Sequence, residues 1–189
     1  MIMKRVFLAL PLEPVEPAAE KMKILQKLLS AYRIKWVRIE NYHLTLFFFG
    51  EIPVQLIPDI QQILRSTLEN SSVFSLALTG PGIFKKGKEP RVLWLGIKAT
   101  DQLFVLKKKI DNAVVSLGFI PDEKPFRPHL TLGRFMQQQE VSSILENVLN
   151  EPQLAKPIGY DVSKLILFES KLFPEGPQYL PIDIFPLKA

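Results

Sequence analysis

The sequence of 189 residues contains no cysteine and only two histidines. The chain therefore has no disulfide framework, no thiolate zinc site and no catalytic thiol. No apolar run approaches the roughly 20 residues that a membrane-spanning helix needs. The short apolar run after Lys4 and Arg5 ends at Pro11 and is followed by glutamates, so we predict a buried strand there rather than a signal peptide. We accordingly expect a cytoplasmic protein.

The composition is that of a globular protein with a mild excess of positive charge. Apolar residues make up 47% and charged residues 23% of the chain, which excludes disorder. The net charge is +5 and the estimated pI is 9.4. A charge of this sign suits a polyanionic partner such as RNA or a phosphate ester, although a basic surface that serves solubility explains it equally well.

The order of the predicted elements repeats itself. Each half, about 1–82 and 90–189, reads as strand, helix, strand, helix, strand, and the predicted helices include one over 141–148. No linker rich in glycine or serine separates the halves, and the short segment Pro81–Pro90 is the one candidate hinge. We therefore predict two similar lobes in a single compact unit over 1–189.

Both histidines stand in the same tetrapeptide at the same place in each half. The two copies are His43-Leu44-Thr45-Leu46 and His129-Leu130-Thr131-Leu132. Alternate side chains of a strand share a face, so the leucines are predicted to enter the core and the histidine and threonine to point the other way. If the lobes face each other, two histidines and two threonines line one cleft.

Such a set of side chains suits attack on a phosphodiester. One neutral imidazole can take a proton from water, and the other, protonated, can give a proton to the leaving oxygen. The threonine hydroxyls can donate to the non-bridging phosphate oxygens. This chemistry requires no metal or other cofactor, and neither motif has the nearby carboxylate that a zinc or iron site would need. A single histidine on a strand is usually a packing residue, but two matched copies are hard to explain by packing.

The paired His-x-Thr-x motifs and their flanks resemble the 2H phosphoesterase superfamily, and within it the RNA 2′,3′-cyclic phosphodiesterases, also called the 2′-5′ RNA ligase family. The resemblance covers nearly the whole chain and rests on these segments: 5–11, 36–38, 41–46, 50–51, 90–94, 126–134, 167–170 and 185–187.

The resemblance implies an α+β fold of two lobes, each an antiparallel sheet with helices on its outer face, with the active cleft between them. It implies hydrolysis of RNA 2′,3′-cyclic phosphate ends, tRNA fragments among them, to 2′-phosphomonoesters, and a reversible 2′-5′ joining of RNA ends by the same chemistry. By resemblance, His129 is the base, His43 is the acid, and Thr45 and Thr131 bind the phosphate.

Three further features have two interpretations each. Arg134 stands five residues after His129, where the family commonly has an arginine on the phosphate or nucleotide; strict alternation puts it on the opposite face unless Gly133 allows a bulge. Phe47 shares the face of His43 by alternation and could stack on a base or pack at the edge of the cleft, although the run Phe47-Phe48-Phe49 as a whole is more typical of a core. The basic segment Lys85–Arg91 could guide RNA or be a solvated loop, while Lys107–Lys109 reads as a solvent-exposed face.

Alternative functions remain open from the sequence. A neighbouring enzyme would hydrolyse a small cyclic or 2′-5′ linked nucleotide. A protein of another class would bind RNA ends without catalysis, although two intact motifs argue against it. A purely structural duplicated domain leaves the matched histidines unexplained. We expect a monomer, since the lobes are predicted to pack against each other.

Overall fold

The computed structural model describes residues 2–12, 16–136, 143–174 and 176–189. The described strands are β1 (Met3–Pro11), β2 (Ile34–Trp36), β3 (His43–Pro53), β4 (Phe74–Lys86), β5 (Glu89–Lys98), β6 (His129–Phe135), β7 (Ile158–Val162), β8 (Lys164–Phe173) and β9 (Gly176–Pro186). The helices are α1 (Glu16–Leu28), α2 (Ile57–Leu68), α3 (Asp101–Val115), α4 (Ser143–Leu149) and the single turn α5 (Pro152–Ala155). Part of the helix predicted over 141–148 lies outside the described residues.

The strands form two antiparallel sheets, as predicted, but the sheets do not coincide with the two sequence halves. The first sheet has the order β3-β1-β8-β9 and the second has the order β2-β6-β5-β4-β7. The first half therefore gives β2 and β4 to the second sheet, and the second half returns β8 and β9 to the first. This exchange ties the lobes together, because the chain crosses between them more than once.

The predicted hinge at Pro81–Pro90 is wrong. Strand β4 does not end at Thr79 but continues through Gly80-Pro81-Gly82 to Lys86, with a register shift between Leu78 and Pro81. Its partner β5 follows after a tight turn in which Gly87 has a φ of +61°. The segment belongs to a β-hairpin within the second sheet, since a bulge between Leu78 and Pro81 keeps the strand continuous.

The core lies on the faces of the sheets that point away from the cleft. The leucines of both tetrapeptides are at most 2% exposed, as alternation predicted. They share one apolar cluster with residues of α1, α2 and α3. Helix α1 contributes Ala18, Met22 and Leu25, which recur at the helical spacing seen in the sequence. Burying these faces leaves the polar faces of β3 and β6 free for a site, which is the α+β arrangement expected.

Within the part of the chain that the structure describes, none of the helices combines the length and the apolar composition that crossing a bilayer requires.

Candidate active site

The two histidine strands carry the same irregularity at the same place. In β3, Thr45 pairs with Ala9 of β1 and Phe47 pairs with the preceding Leu8, so Leu46 is an extra residue. In β6, Thr131 pairs with Trp94 of β5 and Gly133 pairs with Leu93, so Leu132 is the extra residue. Each strand therefore has a β-bulge directly after its threonine.

A bulge reverses the alternation of every residue that follows it. In β6 this brings Arg134 to the cleft face, where it lines the same cavity as Thr131. In β3 the bulge brings Phe48 to the cleft, where 49% of the residue is exposed, and turns Phe47 into the core, where 7% is exposed. The expectation that Phe47 shares the face of His43 is therefore wrong. Phe48 is the counterpart of Arg134, and the guanidinium of Arg5 lies 4.5 Å from the centre of its ring.

Strands β3 and β6 come into contact across the cleft, which contains two cavities. The His43 cavity, of about 240 Å³, is lined by Thr45, Thr131 and Arg134 as well as His43. The His129 cavity, of about 810 Å³, lies on the other side and also reaches Thr45. Thr45 and Phe48 line both cavities, so they form the ridge where the two meet. All five site residues predicted from the sequence thus line one continuous cleft.

Both imidazoles are held by the same backbone contact. Nδ1 of His43 lies 2.7 Å from the carbonyl oxygen of Asn41, and Nδ1 of His129 lies 2.7 Å from that of Arg127. A carbonyl oxygen only accepts, so Nδ1 carries the proton in each ring and donates it. Nε2 is therefore the nitrogen of each ring that is left for proton transfer.

Aromatic rings surround both imidazoles. Phe7 and Tyr179 lie 5.0 and 5.2 Å from the His43 ring, between centroids, and Phe84 lies edge-on to the His129 ring at 4.9 Å. Burial lowers the pKa of His43, and the nearby imidazole of His129 lowers it further, while the hydrogen bond to Asn41 opposes both effects. His43 therefore favours its neutral form in the free protein.

Several residues of the His43 cavity were not assigned a role from the sequence. Tyr179 of β9 packs edge-on against His43, and burial raises the pKa of its hydroxyl, so this group stays protonated and can donate. Asn41 holds His43 through its carbonyl and donates from its side-chain amide to the carbonyl of Pro177 at 2.9 Å. The remaining cations of this cavity are Arg5, Lys35 and Arg38. Arg5 and Arg38 lie in segments that carry the family resemblance, whereas Tyr179 reaches the site because the strand exchange places β9 in the same sheet as β1 and β3.

The other basic segments differ partly from expectation. Lys107 is not on a plain solvent-exposed face: it pairs with Asp111 and lies over the ring of Phe126 at 5.5 Å. Lys108 and Lys109 are exposed, as predicted. Residues Lys85–Arg91 form the tip of the β4–β5 hairpin rather than a loop.

Among residues 2–12, 16–136, 143–174 and 176–189, no three histidine, aspartate or glutamate side chains come together as candidate metal ligands.

Solved structures share this architecture. A protein of Thermus thermophilus superimposes with a TM-score of 0.77 at 26% identity, over 97% of this chain and 98% of that one. Escherichia coli LigT superimposes with a TM-score of 0.73 at 23% identity, over the full length of both chains. Two antiparallel sheets with a His-x-Thr strand from each facing one cleft define a phosphoesterase of the 2H class.

Sequence comparison identifies the family. Residues 11–171 match the model of the 2′-5′ RNA ligase superfamily. A Thermotoga maritima protein named RNA 2′,3′-cyclic phosphodiesterase is 35% identical over 176 residues, which are 93% of this chain and 91% of that protein. A protein of Methanothermobacter thermautotrophicus with the same name is 31% identical, over 97% of this chain and 98% of its own length. The chain belongs to the 2′-5′ RNA ligase superfamily.

Proposed function

We propose that this protein is an RNA 2′,3′-cyclic phosphodiesterase that opens the cyclic phosphate to a 2′-phosphomonoester by acid/base catalysis with its two histidines. The observation that carries the proposal is the matched pair of imidazoles in one cleft, each with Nδ1 tied to a carbonyl and Nε2 left for proton transfer. The relatives named for this activity cover nearly the whole chain and add independent support.

The reaction is an in-line displacement at phosphorus. Neutral His129 takes a proton from water through Nε2 as the water oxygen bonds to phosphorus. The bond from phosphorus to the 3′ oxygen breaks, and protonated His43 gives its Nε2 proton to that oxygen. This order of base and acid follows the family resemblance. Burial lowers the pKa of His43, so the negative charge of the bound phosphate must raise this pKa before His43 can act as the acid.

We propose that the hydroxyls of Thr45 and Thr131 donate hydrogen bonds to the non-bridging oxygens of the phosphate. Both threonines line the cavity next to His43, and hydrogen bonds that strengthen as charge develops lower the barrier. Arg134 adds a fixed positive charge from the same wall. These donors supply the charge stabilisation without a metal ion, so we propose a metal-independent reaction.

RNA is the proposed substrate because the His43 cavity is rich in cations. Arg5, Lys35 and Arg38 line it in addition to Arg134, which exceeds what one cyclic phosphate needs and suits the phosphates of an adjoining chain. Fragments of tRNA with a cyclic phosphate end are one such RNA. With an RNA hydroxyl in place of water, the same displacement would join two ends through a 2′-5′ bond. We further propose that the protein acts as a cytoplasmic monomer.

The test uses a short RNA that ends in a 2′,3′-cyclic phosphate, with excess EDTA. We expect a 2′-phosphate product, and we expect His43→Ala and His129→Ala each to lower the rate by about two to four powers of ten with an unchanged circular dichroism spectrum. Rates near wild type in either variant, or loss of activity with EDTA, would contradict the mechanism. Binding of the RNA without any product would indicate a binding module, and product from small cyclic nucleotides alone would indicate the alternative substrate class.

A further inference from the structure

We propose that Asn41 is a positioning residue, whose side-chain amide fastens the carbonyl that holds His43 to the hairpin of β8 and β9. The inference rests on the proposed function and adds to it the contact that keeps Nε2 of His43 directed at the leaving oxygen. Three observations carry it: a chain of two hydrogen bonds, the packing of the hairpin on the imidazole, and the different way in which His129 is held.

The first observation is a chain of two hydrogen bonds through one residue. Nδ1 of His43 donates to the carbonyl oxygen of Asn41 at 2.7 Å, and the side-chain amide of Asn41 donates to the carbonyl oxygen of Pro177 at 2.9 Å. Asn41 ends the single 3₁₀ turn Ile39–Asn41, and the last carbonyls of such a turn have no partner within it. The bond to Pro177 therefore supplies a constraint on Asn41 that the turn does not.

The second observation is that the hairpin also contacts the imidazole directly. Strands β3 and β9 are the two outer strands of the first sheet. Tyr179 follows two residues after Pro177 on β9, and its ring lies 5.2 Å from that of His43. The hairpin is held from the second sheet as well, since Nζ of Lys35 on β2 donates to the carbonyl oxygen of Pro174 at 3.0 Å. The imidazole and the residue that anchors it thus contact one hairpin, which is itself tied to the other lobe.

The third observation is that the carbonyl at His129 is fixed in another way. Nδ1 of His129 donates to the carbonyl oxygen of Arg127 at 2.7 Å. Pro128 follows, and a residue before proline is restricted to extended conformations. Asn41 is followed by a tyrosine, which places no such restriction on it. The proline fixes the direction of the carbonyl for His129, and the amide of Asn41 fixes it for His43.

A fixed carbonyl at Nδ1 has two effects on His43. It keeps the proton of the neutral ring on Nδ1, so that Nε2 is the nitrogen that exchanges the catalytic proton. It also supports the charged ring that the acid needs: burial lowers the pKa of His43, and the hydrogen bond to Asn41 opposes this. A carbonyl that moves freely would weaken the acid in both respects, because the ring could adopt the other tautomer and its pKa would fall.

Charged and titratable groups from several elements also face this imidazole. They are Arg5 of β1, Lys35 of β2, Arg38, Arg134 of β6 and Tyr179 of β9, which line the same cavity, together with His129. A neutral substitution of Asn41 leaves each of these groups in the chain and changes no charge. A change in the pKa of His43 in such a variant therefore reports the hydrogen bond at its own Nδ1.

The experiment removes the amide and keeps the carbonyl. The test variant is Asn41→Ala. The matched control is Asn70→Ala, because the side chain of Asn70 also joins distant parts of the chain, accepting from Nζ of Lys188 at 2.7 Å, but lies outside both cavities. Nitrogen-15 NMR of the two histidine rings measures the tautomer and the pKa in the free protein. Rates with an RNA that ends in a 2′,3′-cyclic phosphate give kcat and KM.

We expect Asn41→Ala to lower kcat by about ten- to a hundredfold and to keep KM within about threefold of wild type, since a small displacement of a reacting group costs rate rather than binding. The share of neutral His43 that is protonated at Nε2 should rise. The pKa of His43 should fall further below its ordinary value, so the alkaline limb of the pH profile of kcat should move to lower pH. Asn70→Ala should keep the wild-type value of each quantity.

The inference is overturned if the tautomer and the pKa of His43 in Asn41→Ala stay those of the wild type; a rise in KM alone would then mean that the amide binds the RNA directly. A changed ring with an unchanged kcat would overturn it as well. Failure of the wild type to hydrolyse the cyclic phosphate would instead refute the proposed function, while the NMR measurements would still test the tie. Should Asn41→Ala fail to fold, Asn41→Leu fills the same space without a donor and carries the same measurements.

Discussion

Gly82→Ala should damage the His129 side of the site through one misplaced ring. Gly82 of β4 pairs with Trp94 of β5, and a Cβ atom added at Gly82 would lie 2.2 Å from two carbons of that ring. Ordinary contact begins at 3.4 Å, so the ring must move by about 1 Å. Trp94 pairs with Thr131, and its ring lies 6.4 Å from that of His129. The displacement therefore reaches two proposed active-site residues.

The expected cost has two parts. Overpacking of this kind destabilises a protein by about 1–3 kcal/mol, which lowers the melting temperature by roughly 2–4 °C per kcal/mol in a chain of this length. A displacement of about 1 Å at a reacting group can cost on the order of a hundredfold in rate. We therefore expect a modest loss of stability and a large loss of activity.

The assay is kcat/KM for an RNA with a 2′,3′-cyclic phosphate end, together with thermal unfolding followed by circular dichroism. The matched control is Gly159→Ala on β7 of the same sheet, where an added Cβ meets no atom within 4 Å. It should keep the wild-type rate. A Gly82→Ala variant with the rate and melting temperature of the wild type would show that Trp94 does not position His129 and Thr131.

Three further predictions concern residues of β3 and β6. NMR titration should give His43 a pKa below its ordinary value of about 6.5 in the free protein, and inorganic phosphate should raise it. Because the pKa of His43 is lower in the folded than in the unfolded protein, neutral His43 contributes to stability above about pH 6.5, and this contribution is lost as the pH falls through the folded pKa. Acidification should therefore lower the free energy of unfolding of the wild type more than that of His43→Gln. An equal loss in both proteins would contradict this prediction. Phe47→Ala should lower the free energy of unfolding by about 3–5 kcal/mol, whereas Phe48→Ala should cost much less but raise KM, and the reverse pattern would refute the bulge after Thr45. Arg134→Gln should lower kcat/KM by roughly tenfold or more without changing the melting temperature; unchanged kinetics would place Arg134 outside the reaction.

Alternation and periodicity predicted the elements that lie on regular backbone. The leucines of both His-x-Thr tetrapeptides are buried, as alternation predicts, and the apolar run that ends at Pro11 forms the buried strand β1. These features depend on local contacts between near neighbours in sequence, which a pattern of apolar residues records directly. The family resemblance added the two-sheet fold and the cleft between the lobes.

Features that depend on distant partners were not readable from the pattern. The exchange of strands between the sheets depends on which strands pair with each other. The apolar residues of β4 and β8 would suit either sheet, so the sequence pattern does not assign these strands to one of them. The bulge at Leu46 is invisible to alternation, so Phe47 was expected where Phe48 lies. In β6, Gly133 gave a signal of an irregularity, and the expectation for Arg134 allowed for it. In β3 the residue at the corresponding place is Phe47, which carries no such signal.

The repeated bulge explains how a duplicated motif can make an asymmetric site. Both strands present histidine, threonine and, after the bulge, one further side chain to the cleft. That last position is an aromatic ring in β3 and a guanidinium in β6, because Phe48 and Arg134 occupy corresponding places. In the proposed reaction, histidine and threonine are alike on both sides because the displacement uses a proton donor, a proton acceptor and hydrogen bonds to two equivalent phosphate oxygens. The third position is free to differ, so it is the place where the two sides of the phosphate can be distinguished.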